Sequence, residues 1–497
     1  MSNKEKKAAA AAEQAQKNKK FKRNAIIVVV VFALLVAAAL VINSNLLYTS
    51  TTAVEIGGTK YSPAEYNYYY HSVYNNTYNN IYSQYGDMTS YILDTSAPLD
   101  EQVYLFGDGE MTWHDYISEQ ALVELTNLTV LYDAAVKAGY TLTEEGQAEI
   151  DAAVASLETS AASYGFGSVD SFLAANYGKG IDLDLFIEMA EKQSIAVAYS
   201  NDLNDSFTYS ADELEAYYAE NKDTYDFIKY HMYFVGTSNA NFTDMSDEEK
   251  VTAAKDAADT IASATTADEF VENVYNFVAE DSKDSYEDAS ATLNISQGGN
   301  ISSTYSEWLL SADRAEGDTT VIEAEGGSYA IMFVSRNDNH YNTVNARHIL
   351  IQAEADENGE YTDEALTAAK EALEEIYAAW QEDPTEENFA ALAQQYSEDD
   401  GSKANGGLYE EIFQDYMVEE FDAFLFDEHH MPGDTGIVYG SNGYYAGYHL
   451  IYYVGEGDVY SDILAESGLR DSDYSAAVTA LAEGYDYETG FGWRFVG

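Results

Sequence analysis

Beyond residue 52 the chain switches between two hydrophobic periods. Residues 53–62 ("AVEIGGTKYS") show apolar alternation around a Gly-Gly pair, which predicts a short hairpin, and Ser62-Pro63 then opens a helix. Residues 63–95 are rich in tyrosine and asparagine ("EYNYYYHSVYNNTYNNIYSQYG"). Such a stripe packs a helix onto its neighbour or offers a sticky face to peptides, and the packing reading is the plainer one. From residue 112 to 222 apolar positions recur at steps of three and four. "TWHDYISEQALVELTNLTVLYDAAVKAGY" ends at Gly139, "TLTEEGQAEIDAAVASLE" begins at a cap on Thr141 or Thr143, and three further runs each open on Ser or Asp. The pattern predicts several antiparallel helices with short loops, grooves between them and no catalytic constellation.

After residue 226 the period changes, and it does so twice. "IKYHMYFVGT" starts at Ile228 and "NARHILIQAE" at Asn345, each a strand with a histidine, His231 and His348, at a spacing of 117. An alanine-rich helix follows each strand. Then come "ADEFVENVYNFVAED" and "EENFAALAQQYSEDD", with Phe270 against Phe389, and "SEWLLSADRAEGDT" against "DAFLFDEHHMPGDT", with Gly317 against Gly433. Each unit closes on a strand, "SYAIMFV" or "GYHLIYYV". This is an internal duplication of a β-α-α-α-β module. The second copy carries histidines in both terminal strands, His348 and His449, in a chain with only 8 histidines.

Charge and composition narrow the field. The net charge is −63, but eight of the 24 Lys/Arg and only two of the 87 Asp/Glu precede residue 24, which leaves 16 basic and 85 acidic residues beyond it. A body so acidic repels nucleic-acid phosphates. With no cysteine there is no disulfide, no thiol nucleophile and no cysteine-bound zinc. Residues 25–42 ("AIIVVVVFALLVAAALVI") are uncharged and span about 27 Å as a helix. The basic residues on their N-terminal side predict a single-pass signal anchor, with a cytoplasmic N-terminus and the bulk of the chain outside the cytoplasm. A cleaved signal peptide is the alternative, but "INSNLLYTS" offers no clear small-x-small site. His429 and His430 lie near Asp427 and Asp434 without the spacing of a metal motif, so no metal site is expected. There is no G-x-S-x-G and no G-x-x-x-x-G-K-[ST].

The blocks "NARHILI", "NFAALAQQYSEDDGSKANGG", "YMVEEFDAFLF", "PGDTG" and "GYHLIYY" together resemble a parvulin (PpiC or rotamase) peptidyl-prolyl cis-trans isomerase domain over about residues 344–455. The upstream helices and anchor are similar in architecture to the PrsA- and SurA-type foldases of bacterial envelopes. The resemblance implies that His348 and His449 lie side by side at the centre of a four-stranded sheet, and that these two and Asp399 are the catalytic residues. It makes Met417 and Phe421 the holders of the proline ring, with a further substrate contact from Leu408 or Tyr409, because the family's "GGDLGWF" loop reads "GGLYEEIF" here. The hydroxyl residue expected just before "GYH" is absent, Tyr444 and Ala446 standing in those places. In the first copy the alignment sets Ala330 at the place of His449, Ile301 at that of Met417 and Tyr305 at that of Phe421, which predicts a catalytically silent module.

The expected fold is therefore α+β. It comprises a cytoplasmic basic tail (1–24), a transmembrane signal anchor (25–43), a mostly helical SurA/PrsA-like chaperone domain (53–226), a degenerate parvulin-like module (227–340), a parvulin isomerase module (343–456) and a C-terminal tail (457–497). Each module is expected to be a small antiparallel sheet wrapped by helices. The implied function is an extracytoplasmic foldase that rotates X–Pro bonds without covalent chemistry or cofactor. Its clients are unfolded exported proteins, and the acidic segment "QAEADENGEYTDEA" favours unphosphorylated ones. The alternative is a holdase chaperone with little isomerase activity.

Overall fold

The computed structural model describes residues 29–33, 36, 44–107, 109–356, 359–442 and 444–497. The basic tail lies outside the described residues, as does the anchor apart from residues 29–33 and 36. Among the described residues no helix is long and apolar enough to cross a membrane. The described residues form two compact units, one made of those up to residue 208 together with 470–497, the other of those from 209 to 469.

In the first unit β1 (Val54–Ile56) and β2 (Thr59–Tyr61) make the hairpin. Gly57 and Gly58 take positive φ of 55° and 93°, the conformation a two-residue hairpin turn demands. Helix α1 (Pro63–Tyr85) starts on a capping box between Ser62 and Glu65, with proline in its first turn. Its tyrosine stripe divides: Tyr66, Tyr69 and Tyr70 are buried, whereas Tyr82 is exposed. Helix α2 (Trp113–Ala138) ends on left-handed Gly139, and α3 (Glu144–Ser163) is capped by Thr143. Helices α4 (Val169–Tyr177) and α5 (Leu183–Asp205) complete the run, capped by Ser168 and Asp182.

The second unit opens with α6 (Ala211–Tyr225) and then holds two sheets of the same topology. The first module runs β3 (Phe227–Gly236), α7 (Asp247–Ile261), α8 (Ala267–Phe277), β4 (Leu293–Gln297), α9 (Ser306–Leu309), β5 (Thr319–Ala324) and β6 (Gly327–Asn337), in strand order β4-β3-β6-β5. The second runs β7 (Asn342–Gln352), α10 (Asp363–Glu382), α11 (Glu386–Tyr396), β8 (Leu408–Ile412), α12 (Glu419–Leu425), β9 (Thr435–Asn442) and β10 (Tyr445–Val459), in order β8-β7-β10-β9. All pairings are antiparallel. Each sheet is apolar on both faces. In the second module Ala346, Ile451 and Tyr453 pack against Phe421 and Leu425 of α12. Ile349 and Leu450, on the reverse face, pack against Leu373 and Ile376 of α10 and Phe389 of α11.

The duplication holds at the level of topology, but the residue correspondence changes. Each central strand pair carries an irregularity of register at the same place, between Lys229 and Tyr230 in one sheet and between Asn345 and Ala346 in the other. Matching the two makes Tyr230 the counterpart of Ala346, so Met232 answers to His348 and Tyr329 to His449. His231 and Ala330 are one residue out of step, and a one-residue slip turns every side chain to the opposite face. His231 accordingly sits on the α7/α8 side, its ring 5.8 Å from that of Phe270 and its Nδ1 2.9 Å from Thr292 Oγ1. Ile301 and Tyr305 do lie on the other face, packed with Tyr230 and Ile331. That face holds no imidazole pair.

After β10, helix α13 (Tyr460–Leu481) leads back to the first unit, where β11 (Tyr487–Thr489) pairs with β1 as the third strand of the small sheet. The tail also packs Trp493 on Tyr66, ring centroids 5.0 Å apart.

Candidate functional site

The two strand histidines of the second module come from neighbouring central strands. His348 on β7 lies opposite Ile451 on β10, so His449, two residues earlier, is its diagonal neighbour on the same face. The rings stack at 14° with centroids 5.3 Å apart, and Nδ1 faces Nδ1 at 3.1 Å. Both are buried, at 5% and 4% exposure.

Around them the polar atoms form one line. His348 Nε2 is 2.9 Å from Asp399 Oδ2, and the Tyr445 hydroxyl is 2.9 Å from His449 Nε2. The partners assign the protons. A carboxylate accepts only, so His348 donates from Nε2, and in its neutral form its Nδ1 is left as an acceptor. His449 then donates from Nδ1, and its Nε2 accepts the Tyr445 O–H. The order is Tyr445 to His449 to His348 to Asp399. Asp399 also accepts from the Ser402 hydroxyl, from the Ser402 backbone N–H at 3.1 Å and from the Tyr409 hydroxyl at 3.2 Å.

The electrostatics follow from this wiring. The His348 hydrogen bond, helped by the Ser402 and Tyr409 hydroxyls against burial, holds the Asp399 carboxyl far below the usual carboxylate range. Burial and the neighbouring His348 press His449 down to about 3, with Asp399 opposing, so His449 is neutral at ordinary pH. Burial and the Asp399 charge push Tyr409 up to about 12. At neutral pH the site thus holds a carboxylate, a neutral His449 and intact hydroxyls.

Apolar side chains cover the imidazoles. Phe421 stands edge-on to both, centroids 5.4 and 5.2 Å away, and is itself 1% exposed. Met417 and Val418, partly buried, pack against the apolar cluster to which Phe421 belongs. Gly440 on β9 makes room for His449, since a Cβ there would lie 2.6 Å from Nε2. His348, His449, Asp399, Phe421, Met417 and Tyr409 therefore share one face. Leu408 does not join them. It is aligned with Arg347, whose guanidinium turns to Glu386 on α11 at 2.9 Å, so Leu408 belongs to the reverse face, the one covered by α10 and α11. His429 and His430 are structural, one meeting Asp427 at 2.8 Å and the other the Phe424 carbonyl at 2.7 Å.

Two participants escape the sequence reading. Ser402 is signalled only by its place three residues after an aspartate in a turn. Tyr445 supplies the hydroxyl that Tyr444 and Ala446 do not: Tyr444 is exposed and Ala446 is buried.

Residues 329–452 match the family model described as PPIC-type PPIASE domain. A search of curated proteins gave no match. Among solved structures, PrsA from Bacillus subtilis is 14% identical over 77% of this chain and 91% of its own, with a TM-score of 0.27. The foldase protein PrsA from Streptococcus pneumoniae is 13% identical over 78% of this chain and 96% of its own, with a TM-score of 0.25. The peptidylprolyl isomerase PrsA from Bacillus anthracis is 21% identical over 30% of this chain, which spans 60% of its length, with a TM-score of 0.18.

Proposed function

We propose that this chain, whose residues 329–452 belong to the PPIC-type PPIASE family, is a peptidyl-prolyl cis-trans isomerase that serves as a foldase for exported proteins outside the cytoplasm. The observation that carries the reading is the unbroken line Tyr445–His449–His348–Asp399 on the sheet face that also bears Met417 and Phe421. An X–Pro amide rotates over a barrier of about 18–20 kcal/mol because the twist breaks its resonance. Lowering that barrier asks for no nucleophile. It asks for a wall that holds the ring and polar groups that favour the twisted amide over either planar form. Met417 and Phe421 supply the wall. The Tyr445 and Tyr409 hydroxyls, half-buried at the rim, are the polar groups within reach, and the imidazole pair with Asp399 holds them in place. The charge asymmetry around residues 25–42 supports attachment to a membrane by one N-terminal helix, with the acidic body outside.

The burial of Phe421 against both imidazoles favours a second reading, a chaperone that holds clients and isomerises them slowly. A protease-coupled assay on an X–Pro tetrapeptide separates the two. The full chain is expected to accelerate isomerisation, and His449→Ala to lower kcat/KM by about tenfold or more. Background rates for the unaltered chain would leave only the holdase.

A further inference from the structure

We infer that Lys229, on the first module, is a positioning residue for the proline pocket of the second, acting through the turn 413–416 that delivers Met417. This rests on the isomerase reading above. The turn has the sequence "FQDY" and is gripped by residues outside its own sheet at three of its four positions. Phe413 stacks on Tyr460, with centroids 4.6 Å apart and planes within 2°, and lies 6.0 Å from the ring of Phe227 on β3. Gln414 accepts from Asn337 Nδ2 of β6 at 3.1 Å, and its backbone N–H donates to the Tyr341 hydroxyl at 3.1 Å. The Lys229 ammonium of β3 reaches the Asp415 carboxylate at 2.7 Å.

Asp415 is where the turn needs holding. Its φ is 65°, a left-handed conformation that an aspartate adopts at some cost. From there its N–H donates to Asp422 Oδ2 at 3.0 Å, one residue past Phe421 on α12. The same small structure thus joins Lys229 to the two residues that hold the ring: Met417 follows Asp415 by two positions, and Phe421 precedes Asp422. The Lys229–Asp415 pair is about 30% exposed on each side, so it is less screened than a surface pair. The nearby cation Arg336 is engaged elsewhere, with Asp223 at 2.6 Å and Asp226 at 2.5 Å. The first module, having no imidazole pair of its own, is on this view a brace for the module that has one.

The test is a kinetic and binding comparison on the full chain with an X–Pro tetrapeptide. Lys229→Met is expected to raise KM by about fivefold with kcat nearly unchanged, and Lys229→Arg to restore it. Asp415→Asn, which tolerates the same backbone conformation, should reproduce the Lys229→Met effect and serves if that variant folds poorly. Unchanged KM in both charge-breaking variants would overturn the inference, as would a Lys229→Arg protein as impaired as Lys229→Met. If the unaltered chain shows no turnover, the isomerase reading fails by itself. Titration of the same peptide then decides the brace: a fivefold weaker Kd for Lys229→Met supports it, and an equal Kd overturns it.

Discussion

His449 and Asp422 titrate in opposite senses within one module. Burial first, then His348, lowers His449 to about 3 from an unfolded value of about 6.5. Between those values the unfolded chain binds the extra proton, so this group makes stability rise with pH, by up to about 1.4 kcal/mol per pH unit. Burial raises Asp422 to about 6, so here the folded chain keeps its proton longer, and stability falls as pH rises from about 4 to about 6. The two slopes oppose each other over that shared window. His449→Gln should remove the first and leave the second, which urea unfolding between about pH 4 and 6.5 would read as a shift of up to one proton in the slope. An unshifted slope would mean that His449 is already charged in the fold. Tyr445→Phe tests the other end of the line. It leaves the buried His449 Nε2 without its donor and frees the tautomer, so kcat/KM should fall by about threefold to tenfold and stability by about 1–3 kcal/mol. Activity equal to the parent would remove Tyr445 from the site. Its neighbours in "NGYYAGYH" show why it was not legible: three tyrosines lie within five positions, and which of them curls back on the imidazole depends on how β9 turns into β10.

At the scale of the element, the site depends on strands held to one register. His449 fits because β9 presents Gly440 opposite Gly447, where a methyl would meet the imidazole and Val418 at 2.6 and 2.9 Å. Gly440→Ala is therefore expected to displace the ring, cut kcat/KM by about tenfold and cost about 1–3 kcal/mol of stability. Normal activity with a normal melting temperature would show that β9 yields without effort. Register also explains the misplaced His231. Matching the strands by their histidines assumes the same face in both modules. The irregularities at Tyr230 and Ala346 show the strands offset by one residue, which is invisible when both faces of a sheet are apolar and the alternation signal is weak.

At the scale of the whole chain, the first unit is closed by residues far away in sequence. β11 pairs with β1, and buried Asn67 donates to the Phe495 carbonyl at 3.1 Å and accepts from the Gly497 N–H at 3.0 Å. Removing residues 483–497 would strip a strand, expose Tyr66 where Trp493 covers it and leave Asn67 unsatisfied. The first unit should lose about 3 kcal/mol or more, seen by calorimetry as an earlier transition, while peptide isomerisation stays at the parental rate. A parallel loss of activity would show that the second unit needs the first to stay folded.

The repeat and the five blocks around His348 and His449 were readable by their order and spacing, and local chemistry by close neighbours: the Gly-Gly hairpin, the helix start at Ser62-Pro63, a cap at Thr141 or Thr143 and the stop at Gly139. Each of these local features depends on neighbours a few positions apart. Which face a strand turns inward, which tyrosine reaches the imidazole and where the last strand finds its partner depend on pairings across 101 residues in one case and more than 400 in another. Such pairings are chosen by the summed packing of whole sheets, and no short stretch of sequence carries that sum.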